Sequence, residues 1–322
     1  MRIVHLSDLH FTTFFSENNL NQIEQALKFA IELEGDHIVI TGDLTDNAVH
    51  KDFILLRKLF EKLNILYGNK LSLVIGNHDV FGGVQTAEDI FLFTDKCIRT
   101  DYNKKVKDFY LYFPELFDNS AYFNPEIIFP FAKIIDNFLF IGMNSIAEYS
   151  KVNNPFASNG TISMQQIAET TNILDKFRHL HLRKIVMVHH HFNKIIVKEN
   201  SQSSFWQNIE KQTMKLRKKK RLLKIFKNEG VELILHGHYH ESIDYERKGI
   251  RFSNAGASFI SSSKKEVNVN IIDIDKKIDI NIAKLPALEV PSDIELTAKK
   301  NILNTKFQVP DYFPVSKNYY RE

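Results

Sequence analysis

The chain opens on a short apolar run, residues 2–6, that stops at Ser7-Asp8, and the same pattern of a brief apolar segment ending in polar residues recurs along it. Such a run reads as a buried strand. Residues 19–33 then place Leu20, Ile23, Ala26, Leu27, Ala30 and Ile31 at helical spacing, with Gly35 as a stop. Residues 37–40 predict a second strand ending at Thr41-Gly42-Asp43. Residues 53–66 repeat the helical period, and residues 71–75 predict a third strand ending at Gly76-Asn77-His78-Asp79. The order is βαβαβ. Crossover helices send all strands the same way, so the polar ends gather at the sheet edge where ligands bind in open α/β folds.

Between about 80 and 130 the periodicity is lost. Aromatic residues crowd this stretch, among them Phe93, Tyr102, Phe109, Tyr110, Tyr112, Phe113 and Phe117. It reads as an insertion lying over the sheet edge. Residues 131–135 and 138–141 predict a hairpin around Asp136-Asn137. A helix is expected over 165–177, then a strand over 184–188 that runs into His189-His190-His191. A very basic helix is expected over 211–228, then a strand over 231–235 ending at His236-Gly237-His238-Tyr239-His240. Alternating stretches at 242–245, 249–253, 267–274 and 278–283 point to a second, antiparallel-leaning sheet. We therefore expect one domain over 1–284, with the 80–130 insertion, and a proline-bearing extension over 285–322 packed on it.

Apolar residues make up 43% of the 322 positions and charged residues 25%, which excludes a disordered or fibrous chain. Lysine and arginine number 42 against 39 acids, a net +3 that is too mild to imply nucleic-acid binding by itself. Cys97, the one cysteine, cannot close an internal disulfide, so a secreted cross-linked scaffold is not indicated. No stretch reaches the roughly 18 apolar residues of a membrane span, and residues 1–10 lack the apolar run of a signal peptide. The expectation is a cytoplasmic protein without a membrane span. Nothing in the sequence speaks to oligomeric state.

What changes the picture is where the histidines fall. Of 13 in the chain, eight (His10, His78, His189, His190, His191, His236, His238 and His240) lie in short clusters at strand ends, beside Asp8, Asp43, Asn77 and Asp79. Imidazoles, carboxylates and an amide oxygen are ligands for zinc, manganese or iron. Seven or so ligands are too many for one ion and suit two, with one carboxylate shared and positions left for water and substrate.

The blocks Asp8-x-His10, Gly42-Asp43, Gly76-Asn77-His78-Asp79, His189-His190 and Gly237-His238-x-His240, in this order, resemble the calcineurin-like metallophosphoesterases over residues 1 to about 258. The resemblance implies an α/β/β/α fold, a two-sheet sandwich flanked by helices. It implies one metal held by Asp8, His10, Asp43 and His240, and a second held by Asp43, Asn77, His238 and one histidine of the 189–191 run. The family's fourth block usually reads His-x-Pro. Aligning Phe192 with that proline makes His190 the ligand, with His189 as the alternative. By the same resemblance Asn77 and His78 meet the substrate phosphate, and His78 and Asp79 are the catalytic pair, Asp79 orienting the imidazole.

Gly42-Asp43-Leu44-Thr45-Asp46 together with Gly-Asn-His-Asp looks most like the cyclic-nucleotide phosphodiesterase branch. The protein phosphatase branch carries a glutamate where Asp79 stands and an arginine where Ile75 stands. The reading is a phosphodiesterase with two manganese, iron or zinc ions, acting on a nucleotide or another small phosphodiester, 3′,5′-cyclic AMP being one candidate. Alternatives are a DNA nuclease, a sugar-nucleotide or lipid-precursor pyrophosphatase, and a non-catalytic scaffold of the same fold. The basic run 215–224 reads either as a solvated helix face or as an attractor of anions. Nucleic acid as a partner is not favoured by the mild net charge. His236, His5 and His37 read as structural, and Asn254 and Gly256 as either a turn or a functional element.

Overall fold

The computed structural model describes residues 1–13, 18–83, 87–193, 216–217, 219–258 and 266–286. The opening βαβαβ is β1 (Arg2–Leu6), α1 (Asn18–Glu32), β2 (His37–Ile40), α2 (His50–Lys62) and β3 (Leu71–Leu73), with β1, β2 and β3 parallel. The loop after β3 makes a single helical turn, α3 (Asn77–Val80), and the insertion that follows is helical in α4 (Ala87–Arg99) and α5 (Tyr102–Tyr112), the last started by Asp101, whose side chain accepts from Lys104 N. The hairpin follows as β4 (Phe131–Ile135) and β5 (Phe138–Gly142), then α6 (Met164–Lys176), β6 (Arg183–Met187), α7 (Lys219–Asn228) and β7 (Val231–His236). The remaining strands are β8 (Ile243–Arg247), β9 (Ile250–Asn254), β10 (Glu266–Ile274) and β11 (Ile278–Pro286).

Two sheets form, one in the order β11-β10-β1-β2-β3 and the other β4-β5-β6-β7-β9-β8. The four late strands do not make a sheet of their own, as the alternation suggested. β9 extends the second sheet in parallel to β7, with β8 at its edge, while β10 pairs antiparallel with β1 and carries β11. Alternation states that a strand has two faces; it says nothing about which neighbour the strand pairs with.

The layering follows from the period of two in the second sheet. Phe138 and Phe140, Ile185 and Met187, and Leu233 and Leu235 join one buried cluster with β1–β3 and with Leu27, Leu56 and Phe60 of α1 and α2. Leu139, Ile141, Val186, Val188, Ile234 and Phe252 join another with Ile173 and Leu174 of α6 and Leu222, Leu223 and Phe226 of α7. The result is helices, sheet, sheet, helices. In the insertion, Tyr112 of α5 stacks on Phe53 of α2 with ring centroids 4.6 Å apart, and Phe109 and Phe113 close around the same ring. The helix is amphipathic, with Val106, Phe109 and Tyr112 buried at helical spacing and Asn103, Lys104 and Lys107 exposed, a pattern that the crowd of aromatic residues around it obscured in the sequence. The expected C-terminal extension falls outside the described residues beyond Pro286, and so does the basic run before Lys219 apart from Leu216 and Arg217. Among the described residues no helix is long and apolar enough to cross a membrane.

Candidate metal centre

Because β1, β2 and β3 in one sheet and β6 and β7 in the other end at the same edge, five loops converge there. The loop backbones are bent hard to aim the side chains: Asp8, His10, Asp43, His238 and His240 all have positive φ, between 44° and 71°. A non-glycine residue in that region costs on the order of 1 kcal/mol or more and is held only where its surroundings over-determine it. Here backbone bonds do so, from Asp8 N to Gly42 O and from His10 N to Asp43 O, both 3.0 Å. A Cβ at Gly76 would overlap the Asp43 nitrogen and Oδ1, so only glycine lets the chain after β3 pass this close to Asp43.

Two groups of donors result. In one, His10 Nε2 lies 3.2 Å from His240 Nε2, and Asp8 Oδ1 lies 3.4 Å from His240 Nε2 and 3.9 Å from His10 Nε2. In the other, His189 Nε2 lies 3.0 Å from His238 Nδ1, 3.1 Å from Asn77 Oδ1 and 3.3 Å from Asp43 Oδ2. Donors around one ion, at bond lengths of about 2.0–2.2 Å, are separated by roughly 3.0–3.5 Å. Asp43 Oδ2 is also 3.8 Å from His10 Nε2, so it faces both groups, and it is a buried oxygen with no hydrogen-bond partner. An orphaned buried carboxylate oxygen between two rings of ligand atoms fits a shared cation ligand, since a buried charge otherwise requires a partner.

Hydrogen bonds fix which ring nitrogen faces each group, as ligating histidines require. His189 Nδ1–H donates to Thr41 O at 2.7 Å, His238 Nε2–H to Ser158 O at 3.2 Å and His10 Nδ1–H to Asp46 Oδ1 at 3.3 Å. Asp43 Oδ1 accepts from His78 N at 2.8 Å, and Asp8 accepts from His238 N at 3.0 Å. Burial favours protonation of these carboxylates, but His189, His78 and His10 hold Asp43 well below the ordinary range, and His240 and His189 hold Asp8 down at about 2. His189 opposes its own burial through Asp43 and is pushed up to about 9. The side that carries His240 is open, its side chain being 42% exposed.

The calcineurin-like phosphoesterase family model matches residues 1–242. The chain belongs to that family. Its architecture is similar to that of a dimetal phosphatase from Danio rerio, at 12% identity and a TM-score of 0.55, with 89% of this chain and 99% of that one covered. A purple acid phosphatase from yellow lupin (Lupinus luteus) seeds matches at 12% identity and a TM-score of 0.50, covering 89% of this chain and 51% of that one. No curated protein matches the sequence. Members of this family are metal-dependent hydrolases of phosphoric esters that typically bind two divalent ions, and the two donor groups are candidate ligand clusters for them, a third cluster among the described residues, His10, Asp46 and His78, overlapping the first at His10.

Two expectations for this phosphoesterase are corrected by the geometry. His190 is not in either donor group; His189 is. His190 turns away, with Nδ1 2.8 Å from Ser145 Oγ and Nε2 3.2 Å from Ser158 O. The residue after a strand end alternates in direction, and alignment on Phe192 shifted the register by one. Nor does Asp79 orient His78. Its carboxyl group accepts from Thr45 N at 2.8 Å and from Gly76 N at 2.9 Å, so it ties the loop after β2 to the loop after β3. Burial, aided by Asp43, pushes Asp79 up to about 7.

The partner of His78 is Asp46, whose Oδ1 and backbone oxygen both lie 3.1 Å from His78 Nδ1. Burial pulls His78 down, and Asp43 and Asp46 more than reverse this, raising it to about 10. The same Asp46 Oδ1 holds His10, so one carboxylate orients a candidate metal ligand and the adjacent imidazole, whose rings meet edge-on at 4.5 Å. The signal was present in Gly42-Asp43-Leu44-Thr45-Asp46, three residues beyond Asp43. Asn254 Nδ2 donates to Glu241 O at 2.5 Å and Ser242 Oγ accepts from Gly256 N at 3.1 Å, which secures the loop carrying His238 and His240. His236 lies outside both donor groups, its Nε2 2.9 Å from Tyr245 OH.

Proposed function

We propose that this phosphoesterase is a two-metal phosphodiesterase for a nucleotide-type or other small phosphodiester, with 3′,5′-cyclic AMP as one candidate. The observation that carries this is the pair of donor groups sharing the orphaned Asp43 Oδ2, beside an imidazole that is 22% exposed and held by Asp46. In this reading Asp8, His10, Asp43 and His240 hold one ion of manganese, iron or zinc, and Asp43, Asn77, His189 and His238 hold the other. Bound there, the two ions supply hydroxide near neutral pH and neutralise phosphoryl oxygens. Asn77 and His78 face the substrate phosphate. Asp46 fixes His78 Nδ1–H, which leaves Nε2, without a protein partner among the described residues, to hold a proton for the leaving oxygen. A proton held there favours esters whose leaving alkoxide must be protonated, a ribose oxygen among them.

The test is metal-stripped protein supplied with manganese, zinc or iron and assayed side by side on an aryl phosphodiester, an aryl phosphomonoester and cyclic AMP. Diester cleavage restored by metal, with little monoester turnover, is the expected result. Monoester turnover exceeding diester turnover overturns the diester assignment. A second reading, a nuclease, rests on one observation: the exposed residues of α7 include Lys220, Arg221, Lys224 and Lys227 and no acid. A steep loss of DNA binding with salt would mark it, because each neutralised phosphate adds to the slope.

A further inference from the structure

His190 is fully buried, lies in neither donor group, and yet has both ring nitrogens engaged. Ser145 Oγ accepts from His190 N at 3.1 Å and donates to His190 Nδ1 at 2.8 Å, so the ring carries its proton on Nε2, which donates to Ser158 O at 3.2 Å. That carbonyl also accepts from His238 Nε2, again at 3.2 Å, and the two rings lie with centroids 4.4 Å apart. Ser145 is itself anchored. Gln166 of α6 clasps the backbone of Asn144 from both sides, at 2.8 Å and 2.9 Å, and Thr161 N donates to Ser145 O at 2.9 Å. The segment after Ser158 leans on the His190 ring, where a Cβ on Gly160 would sit 2.5 Å from Cγ.

We infer that His190 and Ser145 are positioning residues for the donor group of Asp43, Asn77, His189 and His238, acting through the Ser158 carbonyl to aim His238 Nδ1 at the ion. The inference rests on the reading of that group as a metal site. A carbonyl held by two donors has a fixed direction, and that direction selects the His238 tautomer with a free Nδ1. Remove the His190 donor and Ser158 O loses one of the two ring donors that fix its direction, on a segment that has lost its backing. Asp8 accepts from the backbone N of His238 rather than from its ring, so a turn of the His238 ring leaves that bond in place, and the effect falls on the ion of the Asp43, Asn77, His189 and His238 group rather than on the other. Outer partners of ligating histidines typically change metal affinity about 10–100-fold.

The experiment uses the full chain and its variants His190→Leu, His190→Gln and Ser145→Ala, titrated with manganese by calorimetry, with metal stoichiometry and melting temperature measured alongside. Wild type is expected to bind two ions. His190→Leu should leave one affinity unchanged and weaken the other about 10–100-fold. Ser145→Ala should weaken the same ion by less, and His190→Gln, which keeps an N–H for Ser158 O, should recover most of it. The inference is overturned if His190→Leu binds both ions as wild type does, or loses both equally. Should His190→Leu fail to fold, Ser145→Ala decides on the same two criteria. A wild type that binds fewer than two ions overturns the underlying metal reading instead.

Discussion

Lys133 on β4 is a buried cation with no acid beside it among the described residues. It is 4% exposed, and its ammonium donates to Leu71 O at 2.9 Å, Ser72 Oγ at 3.0 Å and Gly68 O at 3.1 Å. Burial lowers its pKa from 10.5 to about 7. The unfolded chain therefore binds the proton more readily than the folded one between about pH 7 and 10.5, and stability rises with pH across that window. Below it the folded protein carries the charge as well and the penalty is complete. Integrated from pH 7 to pH 9, the gain is about 2 kcal/mol, a large share of a typical domain's stability. Urea unfolding of metal-stripped wild type and Lys133→Met at pH 7, 8 and 9 isolates it, because titrations at the metal centre are common to both proteins. His37, which shares Ser72 with Lys133, is pushed down to about 3 and stays silent there. The variant loses the donor to the buried Leu71 carbonyl, a pH-independent cost of about 1–3 kcal/mol, and to the half-buried Gly68 carbonyl, so its intercept shifts while its slope loses the lysine contribution. The gap between wild type and variant should widen by about 2 kcal/mol from pH 7 to pH 9. A gap that stays constant to within about 0.5 kcal/mol would refute the reasoning and show that Lys133 keeps an ordinary pKa.

Asp43→Ala should abolish hydrolysis and release both ions, read by elemental analysis; retention of one full equivalent would show that the carboxylate is not shared. His78→Ala keeps the backbone N–H that holds Asp43 Oδ1, so metal content should stay at wild-type level while turnover falls about 100-fold or more. Asp46→Asn should lower both turnover and the affinity of the ion on His10, each by about 10–100-fold, measured by steady-state kinetics and manganese titration. Gly76→Ala should lose metal binding while far-ultraviolet circular dichroism stays native, since the added Cβ meets Asp43 rather than the core. Native metal affinity in that variant would contradict the crowding at this turn.

The strand runs, the helical periods of α1 and α2, the hairpin at Asp136-Asn137 and the grouping of polar residues at strand ends were all readable from the chain, because each is a local pattern whose period or turn chemistry needs no distant partner. The five motif blocks carried the family and the set of residue types at the centre for the same reason: spacing within a block is fixed by a single strand end. The aromatic insertion hid its helices because half-buried and exposed apolar residues such as Tyr110 and Leu111 fall between the buried Val106, Phe109 and Tyr112, blurring a period that burial makes plain.

Tertiary structure alone decided matters of direction and partner. The late strands divided between two sheets because hydrogen-bonding edges, not alternation, choose neighbours. One residue of register separates His189, aimed at Asp43, from His190, aimed at Ser145 and Ser158. Asp46 rather than Asp79 meets His78 because the loop after β2 folds over the start of α3, while Asp79 is consumed by Thr45 N and Gly76 N. The chain by itself determined which ligands and which charges are available. Where each side chain points is set by positive-φ turns and by hydrogen bonds between residues 30 to 230 positions apart, and no local pattern encodes those.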